Sequence, residues 1–314
     1  MRIRPTSILY RRNGERQYSA QVGAPRRDMP RPFNVTLIQP SGYVHSLALK
    51  EAAEYVHYML RICGHQSQLS TNYFSRDARN VIFCAHLLGE SHLAKIPRDS
   101  IIFNSEQLED ATGWHFSSGV YAEILKRFHV WDYSWANLDK IAHPRKSFIP
   151  FLYCRDLLRE DLPRWPGRSL LFYGAITERR KRILKALGNA GIPVKVLFDQ
   201  YGDRRDAEMF ASLAVVNLHK TDDTTLFEPI RCFYPLINRI PVISEAVGAD
   251  QTAEPYRDSV CFLDGGNFVE SVVDLHRRAN ESARELRERA LRFETTSAVA
   301  AISAAVEGFL ETIS

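Results

Sequence analysis

The sequence predicts an α/β protein built from two Rossmann-like domains whose parallel sheets face each other across a cleft, and three observations carry that expectation. Its 314 residues suit two domains of roughly 150 residues each. Short apolar, β-rich runs alternate with segments of helical period, which is the rhythm of parallel sheets. The rhythm breaks at Pro163, Trp165, Pro166 and Gly167 and then restarts, as it would at an inter-domain linker. The expected divisions are a basic extension over 1–31, a first domain over 32–166 and a second over 167–314.

Taken in order, Phe33 to Ile38 reads as a first buried strand. A loop holding Gly42 follows, then a helix from Ser46. Its apolar residues Leu49, Ala52, Val56, Met59, Leu60 and Cys63 recur at steps of three and four, and it stops before Gly64. Asn80–Ala85 and Ser100–Asn104 read as inner strands that deliver side chains to a cleft. Helices are expected over Tyr121–Phe128 and Ser134–Ile141, with strands at His129–Trp131 and Phe148–Tyr153. After the linker the expected order is strand Ser169–Tyr173, helix Glu178–Leu187, strand Pro193–Phe198, helix Ala207–Ser212, strand Val215–His219, helix Leu226–Ile237 and strand Pro241–Ser244. From Asn267 the chain reads as helical, ending in the apolar-striped segment Ala298–Ile313.

Composition narrows the function classes. The chain is 45% hydrophobic and 25% charged, within the range of globular domains, and no apolar run approaches the ~20 residues that span a bilayer. Forty-one Lys and Arg against 37 Asp and Glu leave a net charge of +4, compatible with phosphate-bearing ligands but well short of a nucleic-acid footprint. The five cysteines are dispersed, with no CxxC or Cys/His spacing, which reads as buried reduced thiols in a cytoplasmic protein with no metal site. Residues 1–31 carry eight arginines against Glu15 and Asp28. Such a segment is a basic tail for anionic lipid at the inner face of a membrane or for an acceptor, a transit-like segment, or a loose extension.

Two segments carry candidate chemistry. Phe172-Tyr173-Gly174 leads into Thr177-Glu178-Arg179-Arg180-Lys181-Arg182, a strand, a glycine turn and a helix start crowded with cations. Cations at that end oppose the helix dipole, and a diphosphate seated there would account for them; a solvated charged face is the other reading. The second segment ends a buried strand at Asn217 and His219 and then opens a helix at Thr225-Leu226-Phe227-Glu228-Pro229-Ile230-Arg231. Thr225 and Glu228 have capping-box spacing. Functionally, a carboxylate at Glu228 suits sugar or ribose hydroxyls, and a guanidinium at Arg231 suits phosphate oxygens.

From Ser169 to Gly248 the chain resembles the donor-binding half of the group 1, GT4-like glycosyltransferases of the GT-B superfamily. The residues behind the resemblance are Gly174, the basic helix start, Asn217 and His219, Phe227-Glu228, and Pro241-Val242-Ile243-Ser244. It implies a hexosyltransferase-like enzyme that moves a sugar from a nucleoside-diphosphate sugar to a hydroxyl-bearing acceptor, with retention and without metal or further cofactor. It implies that Glu228 contacts the transferred sugar and that Arg179 or Arg180 holds the diphosphate, in an electropositive pocket of the second domain. The family's paired glutamates, separated by seven residues, are not reproduced: counted back from Pro241, the second falls on Tyr234. That departure makes Arg231 a candidate for a role outside the usual pattern.

In the first domain, the resemblance makes Gly42, Tyr43 and His45 candidates for a loop that approaches the donor phosphates. His86 and Glu106 follow strands and should face the acceptor side, where His86 would orient or deprotonate a hydroxyl or serve as a hydrogen-bonded structural residue. Trp131, Tyr133 and Trp135 suit either a sugar-stacking platform or a core. Asp222-Asp223 reads as a solvated loop. Two other functions fit the same scaffold: a sugar-nucleotide epimerase or hydrolase, and a non-catalytic nucleotide-sugar-binding protein.

Overall fold

The computed structural model describes residues 31–108, 119–162, 167–222 and 226–313. Among these, two parallel sheets form. The first runs in the order β2-β1-β3-β4-β5-β6, with β1 Phe33–Leu37, β2 Ser67–Thr71, β3 Arg79–Phe83, β4 Ile101–Asn104, β5 His129–Asp132 and β6 Lys146–Phe148. The second runs β11-β10-β9-β7-β8, with β7 Leu170–Tyr173, β8 Val194–Leu197, β9 Ala214–Asn217, β10 Val242–Glu245 and β11 Cys261–Leu263. Every residue of β1, β4, β5, β9 and β10 is buried, as strands covered by helices on both faces must be.

The inner strands lie within a residue or two of their expected positions. The edges do not. β2, Ser-Gln-Leu-Ser-Thr, carries almost no apolar signal because it borders one neighbour and stays partly exposed. β11 is three residues long at the far edge of the second sheet. Of the expected strand Phe148–Tyr153 only Phe148 lies in β6; Ile149 still donates its N–H to the Asp132 carbonyl at 2.8 Å, and Phe151 runs on as fully buried core.

Helix starts also differ from the expected ones. A 3-10 turn, Val44–Leu49, precedes α1 Lys50–Ile62. Two short segments follow, α2 Glu90–Leu93 and α3 Val120–Arg127, then α4 Trp135–Lys140 with Ser134 as its N-cap, accepting from the Asn137 amide. In the second half come α5 Glu178–Asn189, α6 Asp203–Phe210 and α7 Pro229–Ile237. α7 begins at Pro229, three residues after Leu226, because proline has no N–H to offer and its φ suits the first helical position. Glu228 is therefore the N-cap and makes no side-chain cap bond. Thr225, the other half of the expected capping box, lies outside the described residues. α8 Phe268–Arg277, α9 Ala279–Arg292 and α10 Val299–Ile313 close the chain.

Two features position the site. The chain reverses its strand order between β1 and β3 in one sheet and between β7 and β9 in the other; open α/β sheets bind ligands in the crevice at such switch points. The halves also share one core. Phe151 stacks on Phe233 of α7 at 4.7 Å, Tyr55 of α1 meets the same ring at 5.6 Å, and the Tyr256 hydroxyl donates to the Phe151 carbonyl. The last helix, α10, returns to pack on β6 and α1, setting Phe309 against Phe33 and His129.

Candidate functional site

A cavity of about 450 Å³ opens where the two switch points meet. The first half contributes Tyr43 and His45 from the loop after β1. The second contributes Gly174 and Ala175 after β7, residues 197–201 after β8, Arg205 of α6, and Glu228 and Arg231 around the start of α7.

The centre of the constellation is Arg231. Its Nη1 donates to Asn217 Oδ1 at 2.7 Å, and Asn217 is fixed in turn by donating to Ser244 Oγ at 3.0 Å. Among the described residues no carboxylate forms an ion pair with Arg231. Its Nη2 and Nε lie 3.3 and 3.5 Å from where a Cβ on Gly174 would stand. Gly174 has φ +130, a conformation that side-chain-bearing residues rarely adopt, so the glycine both makes the turn and leaves room for the guanidinium. Glu228 also lines the cavity, and Gln107, from the loop after β4, donates to its Oε1. The first half thus touches the Glu228 carboxylate directly.

The cations at the start of α5 are placed differently from the expectation. Arg179 pairs with Glu245 at 2.5 and 2.8 Å and with Asp222 at 2.8 Å. Arg180 is 3% exposed and donates to the carbonyls of Ala175, Leu218 and His219; burial, with Arg231 nearby, pulls its pKa down to about 9. Neither lines the cavity. They brace the loop after β9, and Asp222, read as merely solvated, is an ion-pair partner of Arg179 and Arg182. The cavity itself is charge-balanced, Arg205 and Arg231 against Asp199 and Glu228, in place of the expected electropositive pocket.

The remaining candidates divide. His219 is buried, its backbone N–H donating to Glu245 and its ring facing the Ala246 carbonyl at 3.2 Å. Phe227 is core, packed on Tyr256 and Phe262. Tyr234 is 5% exposed and donates to Asp206 at 2.8 Å, with Arg205 over its ring; it belongs to the wall behind the cavity. Gly42, at φ +77, shapes the loop but does not line the cavity. Tyr43 and His45 do line it, and His45 Nδ1 reaches the Tyr201 hydroxyl at 3.0 Å and Asp199 at 3.2 Å, joining the two halves at the mouth. His86 faces Glu106 at 3.1 Å outside the cavity, and burial lowers its pKa to about 4, so it is neutral near pH 7. Trp131 and Tyr133 are core; Trp135 is exposed.

Several lining residues carried no pattern that singled them out: Phe198, Asp199, Tyr201 and Arg205. Arg205 is held by Glu51 from α1, at 2.9 and 3.0 Å, and by Asp206. An arginine in the middle of a charged helix resembles any solvated arginine until its long-range partner is known.

No protein-family model matches the chain. Among curated sequences it is similar to uncharacterized proteins of Acanthamoeba polyphaga mimivirus, one 28% identical over 184 residues, 55% of this chain and 24% of that protein. Another is 24% identical over 211 residues, 65% of this chain and 67% of that protein. The match thus spans about a quarter of the first relative's length. Among solved structures the chain is similar to AviGT4, a glycosyltransferase involved in avilamycin A biosynthesis (TM-score 0.54, 13% identity, 90% of this chain and 98% of that one). Anabaena HepE, solved in complex with UDP and glucose, is similar too (TM-score 0.55, 11% identity, 89% and 99%). So is the DNA-modifying enzyme β-glucosyltransferase (TM-score 0.54, 9% identity, 90% and 99%). The fold is therefore GT-B, two parallel α/β sheets with the cavity between them.

Proposed function

We propose that the protein is a glycosyltransferase that takes its sugar from a nucleoside-diphosphate sugar bound in the cavity beside Arg231. The observation that supports this most is the pairing, at the start of one helix and at the meeting of both switch points, of an arginine free of any described carboxylate partner with a carboxylate that lines the same cavity. In this reading the Arg231 guanidinium and the open backbone of Gly174 and Ala175 receive the diphosphate. Glu228 accepts hydroxyls of the transferred sugar, oriented by Gln107. Phe198 and Tyr201 border the end where a nucleobase stacks.

The bond from the anomeric carbon to the diphosphate oxygen breaks, its electron pair leaving on that oxygen. A bond then forms from the acceptor oxygen to the same carbon, and the acceptor proton passes to the diphosphate or to solvent. Arg231 stabilises the charge that develops on the leaving group. Retention, and a reaction needing neither metal nor a further cofactor, belong to the same proposal.

Thermal-shift and calorimetric titration of UDP, GDP, ADP and dTDP and their common sugars tests the donor step, because a ligand of the native state raises its stability with concentration. One base is expected to bind clearly better than the others. Absence of any nucleotide binding at millimolar concentration would overturn the reading. Release of nucleoside diphosphate then separates an enzyme from a sensor. The sensor reading draws on Tyr234, which stands where the resembled family carries a glutamate and is committed to Asp206; it requires binding with no release under any acceptor.

A further inference from the structure

A second hollow, about 420 Å³, lies between α4 of the first half and the loop after β10 of the second. Trp135, Asp139, Leu226, Asp250 and Gln251 are among its walls. We infer that it is a pyranose-binding subsite seating a saccharide acceptor, an assignment of the acceptor role that rests on the glycosyltransferase reading above.

Trp135 is the first reason. It is 41% exposed, whereas Trp131 is fully buried and Tyr133 nearly so. Trp135 is also held rigidly: Phe148 stacks on it at 4.4 Å and 15°, and its backbone N–H donates to Thr252 Oγ1 across the cleft at 3.3 Å. An indole fixed on one face and open on the other is a platform for the C–H face of a sugar ring, bound at little cost in side-chain entropy.

The polar lining is the second reason. Asp139 lies one turn beyond Trp135, on the same side of α4. Asp250 is spent on the backbone N–H groups of Phe227 and Thr252, which fixes the opposite wall, while Gln251 is exposed beside it. A carboxylate and a carboxamide flanking an aromatic plane accept from and donate to ring hydroxyls. Among the described residues no lysine or arginine lines the hollow, which favours a neutral sugar over a phosphate-bearing occupant.

Location is the third. Leu226 borders this hollow and Glu228 borders the donor cavity; two residues of chain span at most about 7 Å. The wall of this hollow and the wall of the donor cavity are thus adjacent along one short stretch of chain.

The test is 19F NMR of the full chain carrying 5-fluorotryptophan, with the Trp135 resonance identified by its loss in Trp135→Phe. Methyl glucosides, galactosides, mannosides and N-acetylglucosaminides, maltotriose, cellotriose and chitotriose are titrated, with sorbitol as the acyclic control. Calorimetric binding of the nucleotide panel is measured on the same sample. The expected result is a saturable shift of Trp135 with at least one pyranoside and none with sorbitol, its affinity falling about tenfold in Asp139→Asn. An unmoved resonance across the panel, with nucleotide bound, overturns the subsite while leaving the donor reading standing. A shift with sorbitol equal to that with pyranosides also overturns it. A pyranoside shift without any nucleotide binding supports the subsite and removes the donor reading.

Discussion

Arg205 and Glu51, 154 residues apart, meet in a two-pronged ion pair at 2.9 and 3.0 Å with both side chains nearly buried. Asp206 and the Tyr234 ring complete the surroundings of the guanidinium. The pair ties α1 to α6 at the wall of the cavity beside Arg231. Removing one member leaves the other a nearly buried charge without its partner, a loss of about 3–5 kcal/mol. Arg205→Met is thus expected to lower the unfolding free energy by that amount in urea titration, and Glu51→Met with Arg205→Met to recover part of it. A single substitution costing under about 1 kcal/mol would show that the pair is solvated.

Arg231→Ala is expected to weaken nucleoside-diphosphate binding by about 10- to 100-fold, the range for a lost charge-assisted hydrogen bond. Arg231→Lys should restore little of it, since an ammonium cannot hold Asn217 and a phosphate in one plane. Calorimetry with the preferred nucleotide reads both.

Glu228→Ala should reduce transfer by at least about two orders of magnitude and leave the melting temperature almost unchanged, because Glu228 makes no cap bond to its helix. Release of nucleoside diphosphate and a thermal scan are the paired measurements. Transfer at the parent rate would remove Glu228 from the chemistry.

Asp132 gives a pH signature. It is fully buried beneath the loop that carries Gln107, accepting from Asn104, Asn137 and the Ser134 amide. Burial raises its pKa from 3.8 to about 7, against the pull of those donors. The folded state thus holds the proton more tightly than the unfolded chain. Its contribution is full below pH 3.8 and is lost as pH rises towards 7, by up to about 1.4 kcal/mol per unit. His86 and His129, both lowered to about 4 by burial, act oppositely, losing stability as pH falls from 6.5 to 4. Stability curves of the parent and Asp132→Asn from pH 4 to 8 separate the two: their difference should decline with rising pH, and a flat difference would contradict the assignment.

Inner strands were legible because burial on both faces leaves short, largely apolar runs rich in β-branched and aromatic residues, even where a buried Asn34 or Thr36 interrupts them. β2 and β11 were not, since an edge strand is specified by its neighbour's free hydrogen bonds more than by its own composition. Of the expected residues, Gly174, Glu228, Arg231, Tyr43 and His45 line the cavity, and Asn217 stands behind Arg231. Local pattern misjudged Arg179 and Arg180, because a run of cations before a helix looks the same whether it awaits a phosphate or braces a carbonyl loop. It passed over Arg205, whose meaning depends on Glu51, and it gave the same weight to Trp131, Tyr133 and Trp135, which tertiary packing sorts into two core rings and one surface platform.

The return of α10 to the first sheet means that the polypeptide passes between the two halves twice, once on the way out and once on the way back. A split of the gene at the linker would strip Phe33 and His129 of their Phe309 cover, so the leading fragment should aggregate when expressed alone and become soluble when the trailing fragment is supplied with it. Any gaping of the cleft must likewise twist two connections at once, which favours a narrow swing over a wide one.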